Sequence, residues 1–126
     1  MRKENEGKMI LVVDDDPFSV LLIEKALPEC TISTCSPFEA VTFMQHKGIN
    51  LLITDFSMPE MDGLKLAKTA NRIYHIPVIM ITGFSENMAK LKEKKDVDAV
   101  LLKPINIQEL KRTVMQVLDK YYIHQD

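Results

Sequence analysis

The sequence is poor in several residues that mark common protein classes. Its 126 residues include two cysteines, four glycines and no tryptophan. Cys30 and Cys35 lack the spacing of a metal site or a redox motif, which indicates reduced thiols in or near the core of a cytosolic protein. The net charge of −2 gives no reason to expect non-specific nucleic-acid binding.

The sequence also has no long apolar run and no flexible linker. Residues 1–8 are polar and charged, and no apolar stretch behind them is long enough to span a bilayer or to act as a signal peptide. We therefore expect a cytoplasmic location. Hydrophobic residues make up 46% and charged residues 27%, which are values of a globular protein. With no Gly/Ser-rich divider, residues 1–126 are expected to form one domain, with a polar tail over 1–8 and a core over 9–122.

Five short segments have the pattern of β-strands. Four of them are continuous apolar runs, typical of strands that are buried on both faces. These are Met9–Val13, Leu51–Thr54, Val78–Thr82 and Ala99–Leu102. The more polar segment Thr31–Thr34 suits an outer strand.

Helical stretches with recognisable starts lie between the predicted strands. Pro17 can open the first, which ends near Leu27–Pro28, and Asp62 can cap one from Gly63 to about Arg72. Ser36 with Glu39, and Asn106 with Glu109, have the spacing of capping boxes; these open a helix to about His46 and the last helix. Alternating strands and helices predict an α/β fold, a doubly wound parallel sheet with helices on both faces.

Polar residues stand where these buried strands end. Asp14 and Asp15 follow the first strand, Asp55 follows the third, and Lys103 follows the fifth. Because a parallel sheet gathers its carboxyl ends at one edge, we expect these side chains to converge there. Crowded carboxylates repel one another unless a cation joins them, so the pattern predicts a metal site. Asp16 is expected only to cap the helix that begins at Pro17.

The motifs together resemble the receiver domain of two-component response regulators. The resemblance rests on Asp14-Asp15, Asp55, the Met58–Gly63 segment, Thr82-Gly83 and Lys103-Pro104, and it covers about Met9 to Tyr121. It implies a flavodoxin-like (βα)5 fold with five parallel strands in the order 2-1-3-4-5. It also implies a phosphorelay protein that is phosphorylated by a histidine kinase or a histidine phosphotransfer protein.

The resemblance assigns roles to the acidic residues. It implies that Asp55 is the phosphoacceptor, that Asp15 binds Mg²⁺ (or Mn²⁺) directly and that Asp14 holds it largely through water. The backbone carbonyl of Ser57 is implied as a further ligand. A protein of this kind promotes only its own phosphorylation and dephosphorylation and is not an enzyme acting on other substrates.

The resemblance also assigns the residues that bind the phosphoryl group. Thr82 would donate a hydrogen bond to it and move toward it as a switch, and Lys103 would pair with it. Glycine at position 83 would let the backbone approach a phosphate closely. The Lys103–Pro104 peptide bond is implied to be cis.

Three features depart from the family pattern. Val100 occupies a position where the family often has an aromatic residue that turns inward when the threonine moves. Asp96-Val97 replaces a small Gly-Ala pair after the fourth helix, where Asp tolerates a left-handed C-cap less readily than glycine. The fourth helix, around Met88 to Leu91, has few apolar residues and is expected to contribute little to the core.

The first predicted helix carries a candidate docking surface. Val20, Leu21, Leu22 and Ile23 are consecutive and cannot all face the sheet, since neighbouring helix positions lie about a hundred degrees apart. Register with the family places Leu22 and Ile23 inward and leaves Val20 and Leu21 at least partly exposed, as part of a docking surface for a four-helix phosphotransfer partner. Phe84 and Val100 are further docking candidates.

Three alternative functions agree less well with the sequence. A nucleotide enzyme would need a glycine-rich phosphate loop after the first strand, where Asp14–Asp16 stands instead. An aspartate-nucleophile phosphatase of the haloacid dehalogenase type would need a second aspartate two residues after its nucleophile; Asp14 and Asp16 have that spacing, whereas Asp55 is followed by Ser57. A degenerate receiver that acts only as a docking module is the third reading. No output domain is expected within this sequence, so its target is a separate protein or a fused output domain.

Overall fold

The computed structural model describes residues 7–27 and 30–123 and contains one parallel sheet. Its strands run in the order β2-β1-β3-β4-β5, which confirms the predicted fold class. Residues 1–6 of the predicted tail, and Pro28 at the predicted end of the first helix, lie outside the described residues. The strands are β1 Ile10–Val13, β2 Thr31–Thr34, β3 Leu51–Asp55, β4 Val78–Thr82 and β5 Ala99–Leu102.

Five α-helices cover the two faces of this sheet. α1 and α5 pack on one face, and α2, α3 and α4 pack on the other. Ser85–Asn87 forms a 3₁₀ turn before α4, and Asp119–Ile123 forms a π-helical turn after α5. None of the described helices is long and apolar enough to cross a membrane. The helices are α1 Pro17–Ala26, α2 Pro37–His46, α3 Gly63–Tyr74, α4 Met88–Lys92 and α5 Ile107–Leu118.

The continuous apolar strands are explained by the two helical layers. In β1, Leu11 and Val13 face the layer of α2 and α3, while Ile10 and Val12 face the layer of α1 and α5. The prediction of burial on both faces is wrong for β5, where Ala99 is half-buried and Leu102 is exposed. The reason is its place at the edge of the sheet.

The predicted helix caps form, but neither predicted capping box is complete. Asn106 Oδ1 accepts from Glu109 N at 2.9 Å, and among the described residues no hydrogen bond returns from Asn106 N to the Glu109 carboxylate. Ser36 Oγ accepts a hydrogen bond from Glu39 N at 3.2 Å, but the Glu39 carboxylate does not return to Ser36. It accepts from the Thr34 hydroxyl instead, and Ser36 N donates to Thr34 Oγ1 at 3.1 Å. The capping box of α2 is therefore also only half formed. The other side-chain caps are Asp16 for α1, Asp62 for α3 and Asn106 for α5.

The region after α3 and α4 contains an ion pair that the sequence did not indicate. Asp96 does not adopt the left-handed conformation considered for it; among the described non-glycine residues only His75 has a positive φ. The Asp96 carboxylate is buried and accepts hydrogen bonds from Arg72 Nε at 3.2 Å and from Arg72 Nη2 at 2.9 Å. This ties the loop before β5 to the end of α3. The five-residue α4 buries only Leu91, as expected of a helix with few apolar residues.

Gly63 lets α3 start against the end of β3. Its N–H donates to Phe56 O at 2.8 Å. A Cβ on this residue would lie 2.2 Å from Asp55 O, 2.8 Å from Met80 Sδ and 2.9 Å from Phe56 Cα. Real Cβ atoms do not approach backbone atoms so closely, so only glycine fits without moving the strand end that carries Asp55.

We expect Gly63→Ala to destabilise the fold by about 2–4 kcal/mol, because the added methyl group forces α3 away from β3. Urea unfolding followed by circular dichroism measures this change. Gly48→Ala is the matched control, since a Cβ there meets no atom within 4 Å, and it should stay within about 1 kcal/mol of the parent. Equal midpoints for the two variants would contradict the packing account.

Candidate functional site

The carboxyl edge of the sheet brings two of the predicted acids and the lysine together. Asp14 directly follows β1, Asp55 is the last residue of β3, and Lys103 directly follows β5. Lys103 Nζ lies 3.2 Å from Asp14 Oδ2 and 3.5 Å from Asp55 Oδ2. One ammonium group is thus shared by carboxylates from two neighbouring strands.

A third carboxylate joins this cluster. Asp14, Asp15 and Asp55 each place one carboxylate oxygen within 4.8 Å of the others. Asp14 and Asp55 are buried, at 1% and 6% exposure, whereas Asp15 is exposed. Asp14 Oδ1 accepts from Asp16 N at 2.9 Å, but the buried Asp14 Oδ2 has no hydrogen bond from any described residue.

These residues fit a hard divalent cation. Three carboxylates supply oxygen ligands of the kind Mg²⁺ prefers, and the exposure of Asp15 leaves room for water molecules that Mg²⁺ retains. Asp14 Oδ2 lies 3.2 Å from Lys103 Nζ but accepts no well-directed hydrogen bond from the described residues, so it can also bind a cation or a cation-bound water.

The crowding of these charges shifts the pKa values of Asp55 and Lys103. Burial and the nearby charge of Asp14 raise the pKa of Asp55, Lys103 opposes both, and the net pKa is about 6. For Lys103, burial lowers the pKa, but the carboxylates of Asp14 and Asp55 outweigh burial, so its pKa lies above the usual value. Lys103 is therefore a permanent cation at neutral pH, and the cluster around it keeps an excess of negative charge.

Thr82 ends β4 beside this cluster, but its hydroxyl is not hydrogen-bonded to the side chains of the cluster. It is 1% exposed, and its Oγ1 accepts from Phe84 N at 3.2 Å and from Asn87 Nδ2 at 3.3 Å. Gly83 is exposed and has no positive φ, and a Cβ there would meet no atom within 4 Å. The protein itself does not require glycine at 83, and the predicted close approach of a phosphate there stays a prediction.

Ser57 and Pro104 complete the predicted set. Ser57 is exposed and lies two residues beyond Asp55. The Lys103–Pro104 peptide bond is cis, the geometry that the resemblance implied. Lys103 N donates to Thr82 O at 2.8 Å, which fixes the chain leaving β5 against the end of β4.

The predicted docking residues divide into exposed and buried ones. Leu21 and Phe84 are 47% and 58% exposed, and Val20 is half-buried. Val100 is only 7% exposed and packs in the core between the sheet and α4, so its assignment to a docking surface is wrong for direct contact. Leu22 is half-buried rather than packed inward, because α1 turns only the side of Ile23 toward the sheet.

Two residues near the site were not predicted from the sequence. Phe18 is 66% exposed and shares a face of α1 with Leu21, three positions on, a spacing that could have revealed it. Asn87 bonds to Thr82, but several polar residues follow Thr82 and no spacing rule selects this one.

Comparisons with known proteins agree with this geometry. The model of the response regulator receiver domain family matches residues 10–115. The chain is 36% identical over 120 residues to the two-component response regulator ARR11 of Arabidopsis thaliana, covering 90% of this chain and 23% of that protein. It is 32% identical over 122 residues to the heme response regulator HssR of Staphylococcus epidermidis, covering 92% of this chain and 54% of that protein. The chain thus spans about a quarter to a half of these relatives.

Solved structures show the same architecture. A CheY-like receiver domain protein from Methanospirillum hungatei superposes with a TM-score of 0.82 at 25% identity, covering 94% of this chain and 98% of that chain. The response regulator TrrA of Thermotoga maritima, solved in complex with Mg²⁺-BeF, has a TM-score of 0.76 at 28% identity, covering 87% and 98% of the two chains. With its matched family model, its strand order and its acidic edge, the chain belongs to the receiver domain family of two-component response regulators.

Proposed function

We propose that Asp55 accepts a phosphoryl group from a phosphohistidine donor and that Asp14, Asp15 and Lys103 make this transfer possible. The observation that supports it most is the sharing of Lys103 between Asp14 and Asp55, with Asp15 close enough to complete a cation site. An ordinary structural ion pair needs one acid for one base. The surplus of carboxylates is explained by a cation and a phosphoryl group that bind there.

In the proposed phosphoryl transfer, Asp55 is the residue of the protein that forms a covalent bond. The phosphorus–nitrogen bond of the donor breaks as a bond forms between phosphorus and a carboxylate oxygen of Asp55. With a pKa of about 6, Asp55 is roughly nine-tenths ionised at pH 7 and remains more basic than an ordinary aspartate, which favours its role as nucleophile. The remaining task is to neutralise charge on the transferred group and to hold it in line.

In this proposal Mg²⁺ is held by Asp14, Asp15, Asp55 and the carbonyl of Ser57. When bound, the ion supplies positive charge that offsets the repulsion between the carboxylates and the phosphoryl oxygens. Lys103 Nζ, already 3.5 Å from Asp55 Oδ2, needs little movement to pair with a phosphoryl oxygen.

Thr82 and Gly83 line the other side of the proposed phosphoryl site. In its phosphorylated form, Asp55 carries roughly −1.5 to −2 charges and new acceptor oxygens that can draw the Thr82 hydroxyl toward them. The chemistry proposed for the domain is limited to its own phosphorylation and to hydrolysis of the product, in the cytoplasm.

Treatment with acetyl phosphate and Mg²⁺ should add one phosphate to the chain, at Asp55, because this acid lies beside both Lys103 and the cation site and its raised pKa makes it the more basic nucleophile. Intact-mass spectrometry measures the product. Asp55→Asn and addition of a chelator should each abolish labelling, and Asp15→Asn should reduce it at least tenfold. Asp98→Asn is the matched control, an exposed acid elsewhere in the fold that accepts from Val78 N at 2.8 Å, and should label like the parent. Full labelling of Asp55→Asn would overturn the assignment.

We further propose that a histidine kinase or a histidine phosphotransfer protein docks beside the start of α1. Phe18 and Leu21 are exposed on one face of α1, and Phe84 is exposed on the loop after β4. α1 begins directly after Asp14 and Asp15, so an apolar helix seated on these side chains would bring its histidine close to Asp55. The downstream partner, whether a separate protein or a fused output domain, would read the phosphorylated form.

Leu21→Glu should slow phosphoryl transfer from the cognate histidine donor at least fivefold, because it places a charge in an apolar contact, while labelling by acetyl phosphate stays unchanged. Rapid-quench kinetics with both donors measures the two rates. Ile73→Glu is the matched control, since Ile73 is 64% exposed on α3 and lies outside the proposed surface. A parallel fall of both rates in Leu21→Glu would contradict docking and would place Leu21 in the core.

A further inference from the structure

The Thr82 hydroxyl is held by the loop that leads to α4. Its oxygen accepts from Phe84 N at 3.2 Å and from Asn87 Nδ2 at 3.3 Å. A hydroxyl has two lone pairs and one hydrogen, so these two donors use both of its acceptor positions. Its own hydrogen has only a distant acceptor, Phe84 O at 3.5 Å.

The side chains of Thr82 and Asp55 lie on opposite faces of the sheet. Side chains alternate along a strand, and in β4 Met80 packs in the layer of α3 and α4 while Ile81 packs in the layer of α1 and α5. Thr82 therefore faces the α4 side. By the same alternation Asp55 follows Ile53 by two positions and faces the α1 and α5 side. Among the described residues, no hydrogen bond joins the Thr82 hydroxyl to Asp14, Asp55 or Lys103.

Among the described residues, Asn87 is the only one whose side chain is hydrogen-bonded to the Thr82 hydroxyl. It is the last residue of the 3₁₀ turn and stands directly before Met88, the first residue of α4. The bond from Phe84 N is donated by the backbone and does not depend on a side chain of the turn. The bond from Asn87 Nδ2 depends on one amide group, and in either orientation of that amide it ties the two side chains together.

We propose that Asn87 is a positioning residue that stabilises the resting form of the switch by holding Thr82 away from the phosphoryl site. The inference rests on the proposed role of Asp55. When Thr82 turns to donate to a phosphoryl oxygen, it loses the hydrogen bond to Asn87. The free energy of that lost bond reduces the net free energy with which the site binds the phosphoryl group.

The same bond connects the site to α4. Loss of the Thr82–Asn87 bond frees the start of α4, while the far end stays anchored by the buried Leu91 and by the Arg72–Asp96 ion pair beyond it. The proposal therefore predicts movement at Phe84–Met88 and little at Asp96. It gives this chain a route for the signal that does not need an aromatic ring at position 100, where Val100 is buried.

Beryllofluoride with Mg²⁺, a mimic of the phosphoryl group, tests the proposal by NMR titration of the full chain. One hydrogen bond lost from the resting form should let Asn87→Ala bind the mimic roughly two- to tenfold more tightly than the parent. Amide signals of 84–88 in the free variant should also move toward their positions in the complex of the parent. Asn87→Leu removes the same donor and should behave alike, and Glu86→Gln, an exposed neighbour in the same turn, should bind like the parent.

A second pair of variants separates this role from general loosening of the loop. In a Thr82→Val or a Thr82→Ala background there is no hydroxyl to hold, so Asn87→Ala should change the affinity by less than its error. An equal gain in these backgrounds, or equal or weaker binding by Asn87→Ala in the parent background, would overturn the proposal. Failure of the parent to bind the mimic, or equal binding by Asp55→Asn, would instead overturn the proposed function of Asp55.

Discussion

The sharing of Lys103 by two buried carboxylates is the interaction on which the rest of the site depends. Asp14 and Asp55 lie side by side because β1 pairs directly with β3 and Val13 is level with Thr54. Lys103 comes from β5, which is separated from β3 by β4. Neighbouring strands lie about 4.8 Å apart, so only a long, flexible cation at the end of β5 can reach both acids across the end of β4.

A third buried acid, Asp96, is a comparison with a purely structural role. Both of its oxygens accept hydrogen bonds from one arginine, Arg72, in a two-point geometry that leaves neither oxygen unsatisfied. Asp14 instead keeps one buried oxygen without a hydrogen bond, and burial raises the pKa of Asp55 to about 6. Lys103 compensates only part of this negative charge, and the remainder costs stability. The proposed binding of a cation and a phosphoryl group is a physical reason to keep it.

The sequence predicted what depends on chain order and periodicity. Apolar runs located the strands, and the polar residues after them located Asp14, Asp55 and Lys103, because a parallel sheet collects its carboxyl ends at one edge. The sequence did not predict side-chain contacts for which several partners were possible. Arg72 finds Asp96 across 24 positions, and Glu39 turns to Thr34 rather than to Ser36. Val100 and Leu22 were misplaced because the depth of burial depends on packing angles that periodicity does not contain.

The carboxyl titration of Asp55 tests the account most directly. Carbon-13 NMR of the side-chain carboxyl in chelator, between pH 4 and pH 8, should give a pKa near 6, because burial and Asp14 disfavour the ionised form. Saturating Mg²⁺ should lower this pKa by at least one unit, since a bound cation favours ionised Asp55, and Asp15→Asn should remove most of the Mg²⁺ effect. A pKa near 4 in chelator, or a pKa that Mg²⁺ leaves unchanged, would contradict a crowded carboxylate cluster built to hold a cation.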